Sequence, residues 1–292
     1  MTPLPDRDPL PTCVKGLDRL PDGYSSTIRD GLRAALLGAE AAGAGSIRAA
    51  DGSTASAAAP AAERHVESPA VLTEAQLEAI GDHVRLLMVW NEAINLSGIR
   101  TSVAIAREHV LDSLTAIPIL RRAAIDEFVD LGSGGGYPGI PLAVALPARR
   151  ALLVESIAKK ARFLAVAVEA IGIGDRVTVA ATRAEVIAVD AAHRGRWSGV
   201  VARAVADLTD LAELSLPLLR KGGLLIAWKR WPVDEELDHA QGALRVLGGR
   251  IAAVEAVAVP GLEDHALAVI EKVAETPREY PRDPAARRRN PL

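Results

Sequence analysis

The chain has 292 residues, of which 49% are hydrophobic and 24% are charged, a composition typical of a globular protein with one large domain or two modest ones. Its formal net charge of -3, from 34 basic and 37 acidic residues, excludes a wholly basic nucleic-acid binder of the histone type. Any binding of nucleic acid must therefore depend on a local basic surface. A single cysteine, Cys13, excludes an internal disulfide and a Cys-based metal site, and we expect no bound metal.

The first residues of the chain are rich in proline and charge, where a signal peptide needs an apolar segment, and no apolar run approaches the ~18 residues of a membrane span. We therefore expect a cytoplasmic protein that does not enter a membrane. Half of residues 39–62 are alanine, and Ile47 is their one large aliphatic side chain. Such a segment buries too little to offset its ordering entropy, so we predict a flexible extension over residues 1–70.

A small helical domain is predicted for residues 71–122. Thr73 and Gln76 form a capping-box pattern, and apolar residues then recur at helical spacing from Leu77 to Met88. A second helical stretch is predicted from Ser102 to Ile119. Together these patterns predict two packed helices ahead of the next domain.

The next segment, residues 123–277, alternates short β-branched runs with helical patterns. Strands are predicted at Glu127–Leu131, Ala151–Val154, Val177–Ala180, Gly199–Ala202, Leu224–Trp228, Ile251–Val259 and His265–Val273. Helices are predicted at Gly139–Leu146, Ala158–Ile171, Ala184–Val189 and Leu208–Leu219. This alternation indicates an α/β domain with a doubly wound, mostly parallel sheet. Because only a short loop separates the last two strands, we expect them to form an antiparallel hairpin at the sheet edge.

The sequence FVDLGSGGGYPG, Phe128–Gly139, combines the end of the first strand, a glycine loop and the start of a helix. In open α/β sheets a nucleotide-like ligand binds at the carboxyl ends of the strands, so this loop is the predicted cofactor site. Gly132, Gly134 and Gly136 let the backbone approach a ligand closely.

Two cofactor classes compete for this loop. The dinucleotide pattern G-x-G-x-x-G lacks its third glycine, because Tyr137 stands there. The spacing G-x-G-x-G, with Asp130 just ahead of it, favours S-adenosylmethionine, whose sulfonium and ammonium groups are cationic. An NAD-dependent oxidoreductase stays open as the alternative enzyme class.

Further candidates follow the next two strands. Glu155 ends the second strand, where a carboxylate can accept hydrogen bonds from both ribose hydroxyls of either cofactor. Thr182–Glu185 follows the third strand, where backbone groups would hold an adenine ring. Arg183 and Glu185 have a surface ion pair as their alternative interpretation.

Seven motifs in the chain together resemble one known family. They are WNEAINLSGIR (Trp90–Arg100), REHVLDSL (Arg107–Leu114), DLGSGGGYPGIPLA (Asp130–Ala143), LVESIAKKARFL (Leu153–Leu164), TRAE (Thr182–Glu185), ARAVADL (Ala202–Leu208) and the ending TPREYP with NPL. From about Leu72 onward the chain resembles the ribosomal RNA small subunit methyltransferase G family, also called glucose-inhibited division protein B.

The resemblance implies a Rossmann-like class I methyltransferase sheet, S-adenosylmethionine as cofactor, and methylation of guanine N7 at one site (position 527, in the 530 loop) of 16S rRNA in the small ribosomal subunit. The chemistry is compatible, because N7 has a free in-plane lone pair and needs no base, so positioning suffices. The chain lacks the D/N-P-P-Y/F motif used on exocyclic amines and a cysteine in its folded body. We expect a monomer that binds small-subunit rRNA.

The predicted cofactor-binding residues are Asp130, Gly132, Ser133, Gly134, Gly136, Tyr137, Glu155, Thr182, Arg183, Ala184, Glu185 and Arg203. The predicted substrate-binding residues are His109, Asp112, Arg203, Lys229 and Arg230, and Arg203 and Lys229 are the catalytic candidates. No residue is assigned to a metal.

Each substrate candidate also has a structural interpretation. Arg203 ends the fourth strand, and its alternative is an ion pair with Asp207 or Glu185. Lys229 ends the fifth strand, and by resemblance the next residue is glycine where this chain has Arg230. His109 and Asp112, three residues apart, line the active-site entrance by resemblance, or else fix the junction between the domains.

Two more features depart from simple expectation. His265 stands where the resemblance leads us to expect an arginine, a change that could weaken an RNA contact. The tail, residues 278–292, carries five arginines against Glu279 and Asp283, which suits phosphate binding as well as a solvated tail. A protein that binds rRNA during subunit assembly without transferring a methyl group is the non-enzymatic alternative.

Overall fold

The computed structural model describes residues 10–21, 23–31, 72–146, 150–257 and 259–292. Its helical part contains a helical segment over residues 23–31 (α1), α2 (Glu74–Ala93), α3 (Ser102–Ile105), α4 (Asp112–Leu114) and α5 (Ile117–Arg122). A π-helical turn, Ala106–Leu111, joins α3 to α4, so the three form one continuous helix.

The predicted capping box at the start of α2 is confirmed. The Thr73 hydroxyl accepts a hydrogen bond from the Gln76 amide at 3.2 Å, and the Gln76 side chain accepts one from the Thr73 amide at 2.9 Å. Two backbone donors that the helix itself leaves free are thereby satisfied.

Seven strands form one sheet in the order β3-β2-β1-β4-β5-β7-β6. The strands are β1 (Glu127–Leu131), β2 (Arg150–Val154), β3 (Val177–Ala180), β4 (Trp197–Arg203), β5 (Leu219–Arg230), β6 (Gly249–Ala256) and β7 (His265–Lys272). Strands β1 to β5 pair in parallel, and β7 pairs antiparallel with both β5 and β6. The predicted α/β class, with its mostly parallel sheet, antiparallel edge hairpin and preceding helical domain, is confirmed.

Helices cover both faces of the sheet. They are α6 (Gly139–Ala145), α7 (Ala158–Ala170), α8 (Ala184–Val189), α9 (Leu208–Ser215), α10 (Asp234–Leu247) and α11 (Pro284–Arg289). One apolar core joins the helical domain to one face of the sheet, and a second core lies under α9 and α10 on the other face. None of the helices in the described ranges is long and apolar enough to cross a membrane.

Helix α10 is absent from the elements that the sequence predicts. Its signals are an acidic first turn, Asp234–Glu236, and Gly248 in the left-handed conformation (φ 78°) directly after its end. Acidic residues favour a helix amino terminus, and glycine favours the left-handed residue that ends a helix.

The predicted extension over residues 1–70 needs a correction for its described parts, because residues 10–21 and 23–31 pack on the helical domain. The Trp90 indole donates to the Pro11 carbonyl at 2.8 Å, and Tyr24 and Ile28 are buried. These residues carry the large apolar side chains that the alanine-rich stretch lacks. The alanine-rich residues 39–62 lie outside the described residues.

The carboxyl-terminal segment is held by internal contacts. Arg194 donates to the carbonyls of Thr276, Pro277 and Tyr280 at 2.7 to 3.1 Å. Strand β7 runs antiparallel to β5, so the segment after β7 lies at the amino-terminal ends of the parallel strands. The glycine loop lies at the opposite, carboxyl-terminal ends. The arginines of this tail are therefore remote from the predicted cofactor site.

Two of the tail's five arginines are engaged in the fold. Arg282 forms a forked ion pair with Glu213, whose carboxylate is almost fully buried, with distances of 2.6 to 3.2 Å. Arg287 is buried near Asp210. Only Arg278, Arg288 and Arg289 are exposed.

We expect Arg282→Ala to lower the free energy of unfolding by about 3 kcal/mol, because it leaves the Glu213 charge buried without its partner. Urea unfolding followed by circular dichroism measures the change. The exposed Arg288 serves as the matched control, and Arg288→Ala should shift stability by less than about 0.5 kcal/mol. Equal stability of the two variants would contradict a structural role for Arg282.

Candidate cofactor and substrate site

The glycine loop leaves β1 at Leu131 and turns into α6. Gly132, Gly134 and Gly136 all have positive φ, at 70°, 54° and 94°. A Cβ at Gly132 would also lie 2.8 Å from the Val205 side chain, so glycine is required there by both backbone and space. The loop thus presents its backbone at the carboxyl ends of the strands, as the sequence predicts.

Asp130 lies beneath this loop and is fully buried. Its Oδ2 accepts a hydrogen bond from the Gly139 amide at 3.0 Å, and Oδ1 has no hydrogen-bond partner among the described residues. Burial raises the pKa of the Asp130 carboxyl to about 7. An unpaired buried acceptor at this position suits a cationic ligand.

Glu155 joins the end of β2 to the same loop. Its Oε2 accepts a hydrogen bond from the Gly134 amide at 3.0 Å, and its Oε1 accepts one from the Ile157 amide at 2.7 Å. The carboxylate is largely buried. Each oxygen keeps a further lone pair, so Glu155 can fix the loop and still accept hydrogen bonds from a ligand.

The other predicted cofactor residues lie around this loop or after β3. Ser133 is buried, and its hydroxyl donates to the Asp130 carbonyl at 3.1 Å. Thr182 and Ala184 flank the start of α8. The Arg183 guanidinium is two-thirds exposed and lies 3.7 Å from Glu185, which is the surface ion pair weighed as the alternative.

Arg203, at the end of β4, is fully engaged by the helical domain. Its Nη1 donates to the Asp112 carboxylate and to the Glu108 carbonyl, both at 2.9 Å, and its Nη2 lies 2.9 Å from His109 Nδ1. The predicted alternative partners, Asp207 and Glu185, are not the ones it contacts. Arg203 therefore ties the helical domain to the sheet instead of pointing into solvent.

Asp112 is the acceptor at the centre of this network. It is almost fully buried, and its second carboxylate oxygen lies 2.8 Å from His265 Nδ1. Its carbonyl also accepts the Trp228 indole proton at 2.9 Å. His265, in place of the arginine that the resemblance leads us to expect, therefore contacts a buried carboxylate of the helical domain.

His109 is a neutral ring whose contacts favour one tautomer. Its Nδ1 lies 2.9 Å from Arg203 Nη2, which can only donate, and 3.2 Å from the Glu108 carbonyl, which can only accept. The shorter contact with Arg203 favours a proton on Nε2. That nitrogen lies 2.6 Å from the Ser97 hydroxyl. Burial and the Arg203 charge lower the pKa of His109 to about 4, so the ring is neutral at neutral pH.

Tyr137 lies between two histidines. Its ring stacks on His109 with a centroid separation of 4.7 Å and contacts His83 at 4.9 Å. Burial raises the pKa of the Tyr137 hydroxyl. The residue that replaces the third glycine of a dinucleotide loop is therefore part of the domain junction.

The sequence-based interpretation missed His83. This fully buried residue of α2 lies 2.8 Å through Nε2 from the Gly135 carbonyl, so the helical domain supports the glycine loop directly. Burial lowers the pKa of His83 to about 4. Its position on the apolar face of α2, between Ile80 and Leu87, was the available signal.

Lys229 and Arg230 are also engaged in the structure. Lys229 is mostly buried, donates to the Ala206 carbonyl at 3.0 Å and pairs with Glu236. Arg230 is exposed and pairs with Asp264. Lys229 thus anchors the loop of residues 204–207, which lies over the glycine loop through Val205. Within the described ranges, no group of three His, Cys, Asp or Glu side chains has the arrangement of a metal site.

We expect Asp130→Asn to change the pH dependence of stability. In the wild type, ionisation of Asp130 is disfavoured in the folded state, so stability is lost as pH rises toward its folded-state pKa of about 7. Asparagine has no such loss. The variant should therefore gain about 2 to 3 kcal/mol relative to wild type between about pH 5 and about pH 7.5.

Urea unfolding without cofactor measures this difference, and the contributions of the buried histidines cancel because both proteins share them. Asp175→Asn, at an exposed position, is the control and should give a difference that is flat over this range. A flat difference for Asp130→Asn as well would show that the Asp130 carboxyl has an ordinary pKa.

We expect Arg203→Ala to destabilise the fold by about 3 kcal/mol or more, because it leaves the Asp112 charge buried with only His265 as partner. Arg203→Lys should lose less, because it keeps the charge and loses the forked geometry. Arg183→Ala, at an exposed position, is the control for stability. If Arg203→Ala unfolds at the same urea concentration as that control, Arg203 does not hold the domains together.

Comparison with known proteins supports the family resemblance. The model of the family described as rRNA small subunit methyltransferase G matches residues 76–264. A relative named ribosomal RNA small subunit methyltransferase G from Chloroflexus aggregans is 40% identical over 221 residues, covering 76% of this chain and 92% of that protein. The protein of that name from Lactococcus lactis is 34% identical over 224 residues, covering 76% of this chain and 93% of the relative.

Among solved structures, the chain is similar to an O-methyltransferase from Bacillus cereus, with 18% identity, a TM-score of 0.45 and coverage of 65% of this chain and 90% of that one. The family assignment depends on the sequence matches alone, and it confirms the predicted methyltransferase class. The chain belongs to the rRNA small subunit methyltransferase G family.

Proposed function

We propose that this protein transfers a methyl group from S-adenosylmethionine to N7 of one guanine in the 530 loop of 16S rRNA. The observation that carries the proposal is the family match over residues 76–264, which includes the glycine loop, Asp130 and Glu155. We further propose that it acts in the cytoplasm, as a monomer, on the small ribosomal subunit.

The residues present fit this cofactor. Asp130 offers a buried acceptor with no partner of its own among the described residues, which suits a cationic group, and Glu155 suits a pair of ribose hydroxyls. S-adenosylmethionine, when bound, supplies an electrophilic methyl group on a cationic sulfonium. Thr182–Glu185 is the proposed border of the adenine position, because β3 ends beside β2.

No proton transfer by the protein is needed in this reaction. Guanine N7 attacks through a lone pair in the plane of the ring, so the chain's contribution is to position the base and exclude water. His109 is not available as a base, because its pKa is lowered to about 4 and its Nδ1 faces the Arg203 guanidinium. A neutral, immobilised imidazole beside Tyr137 instead gives the site a fixed wall.

Arg203 and Lys229 contribute to the substrate side of the site by positioning neighbouring groups. Arg203 fixes His109 and Asp112, and Lys229 fixes the carbonyl of Ala206 in the loop over the cofactor position. Such support sets the geometry in which the methyl group and N7 meet. Of the three residues Arg203, Lys229 and Arg230, only Arg230 has an exposed side chain, and it is paired with Asp264.

The decisive experiment supplies labelled S-adenosylmethionine with unmodified small ribosomal subunits, free 16S rRNA and bulk tRNA in parallel. We expect label in subunit rRNA, recovered as 7-methylguanosine when the product nucleoside is identified by mass. Cofactor binding without label in any RNA would refute the proposed activity and favour the assembly-factor alternative.

We expect Glu155→Ala to weaken cofactor binding by roughly tenfold to a hundredfold, because it removes an ionised acceptor and frees the Gly134 amide. Isothermal titration calorimetry measures the affinity. Glu169→Ala, at an exposed position on α7, should bind like wild type. Unchanged affinity of the Glu155 variant would exclude this carboxylate from the cofactor site.

A further inference from the structure

The start of α7 carries a cluster of basic side chains beside the cofactor position. Lys159, Lys160 and Arg162, here called the α7 cluster, follow Glu155 by four to seven residues. Lys159 and Arg162 are exposed, and Lys160 is half-buried. Because α7 begins where β2 ends, the cluster lies on the rim of the cleft at the carboxyl ends of the strands.

The α7 cluster has no charge partner within the described part of the chain. None of its three cations forms an ion pair or a side-chain hydrogen bond there, and the first turn of α7 holds no acidic residue. Cations at a helix amino terminus oppose the helix dipole, and Lys159 and Arg162 place like charges on one helix face. The arrangement lowers helix stability, so stability does not account for these cations.

The opposite rim of the cleft has the opposite charge. The first turn of α10, which follows β5, and the turn before β7 expose four carboxylates, and the nearby Arg230 is already paired with one of them. These carboxylates are Asp234, Glu235, Glu263 and Asp264. A phosphate backbone is repelled by the β5–β7 rim and attracted by the α7 cluster on the rim at β2, whereas Arg183 after β3 is paired with Glu185 and adds no free cation.

We propose that the α7 cluster binds phosphates of the rRNA strand that carries the target guanine, so that the RNA enters the cleft over β2 and β3. This inference depends on the proposed function. The predicted substrate residue Lys229 is mostly buried and paired with Glu236, whereas the side chains of the α7 cluster are unpaired among the described residues, and two of the three are exposed.

The test compares two double variants of the full chain. Lys159→Gln with Lys160→Gln removes two cations from the α7 cluster. Arg220→Gln with Lys221→Gln removes two exposed cations from the start of β5, at the end of the parallel strands that is opposite the cleft. Binding to unmodified small subunits and to naked 16S rRNA is measured over a series of salt concentrations, and methyl transfer is measured at one.

We expect the α7 variant to reduce the slope of log affinity against log salt by about 1 to 2, since each lost phosphate contact removes about 0.7 to 0.9. Its KM for subunits should rise about tenfold or more while kcat and cofactor affinity stay near wild type. The β5 variant should keep the wild-type slope and KM.

An α7 variant that binds like the β5 variant, or a β5 variant that loses as much, would overturn the proposal. Loss on subunits without loss on naked rRNA would also overturn it, because the cluster would then contact a ribosomal protein. If the wild type methylates no RNA, the proposed function fails, and the salt dependence of binding still decides the role of the cluster.

Discussion

The buried ion pair between Asp112 and Arg203 is the interaction on which the geometry of the site depends. A buried charge is tolerated only with its partner, so this pair forces the helix of Asp112 against the end of β4. The same residue accepts His265 from β7 and the Trp228 indole from β5. Three strand ends are thus fixed to one position of the helical domain. His83 adds a second attachment, at the glycine loop.

This arrangement explains why the polar residues nearest the cleft are poor candidates for direct substrate chemistry. Arg203 donates to three acceptors, His109 accepts that donation and stays neutral, and Lys229 is occupied by Ala206 and Glu236. The groups are preorganised instead of available. Such a site is compatible with a reaction that depends on alignment of the reacting atoms and exclusion of water more than on proton transfer.

The parts of the molecule that local sequence determines were predictable. The glycine loop, the strand-end position of Glu155 and the capping box at Thr73 depend on residues close in the chain. The partner of Arg203 was not, because Asp112 is 91 residues away and several carboxylates were equally plausible from spacing. The packing of Tyr24 and Ile28 is not predicted, because the alanine-rich residues 39–62 lead to the expectation of a flexible segment over all of residues 1–70. The tail arginines looked free because Glu213, the partner of Arg282, and Arg194, which donates to carbonyls of the carboxyl-terminal segment, both come from other elements.

The net charge of -3 says little about what this surface attracts, since the sign of charge changes across the cleft. Two ligands of opposite charge have to meet there, a cationic methyl donor and an anionic RNA. Asp130 and Glu155 offer carboxylates inside the cleft, whereas the α7 cluster offers cations only a few residues farther along the chain. Because the exposed cations attract phosphate and the carboxylates inside the cleft repel it, RNA is guided to the rim without being drawn into the cofactor position. Because the carboxylates lie inside the cleft and the cations lie on its rim, one short segment, from the end of β2 into α7, can contact both ligands.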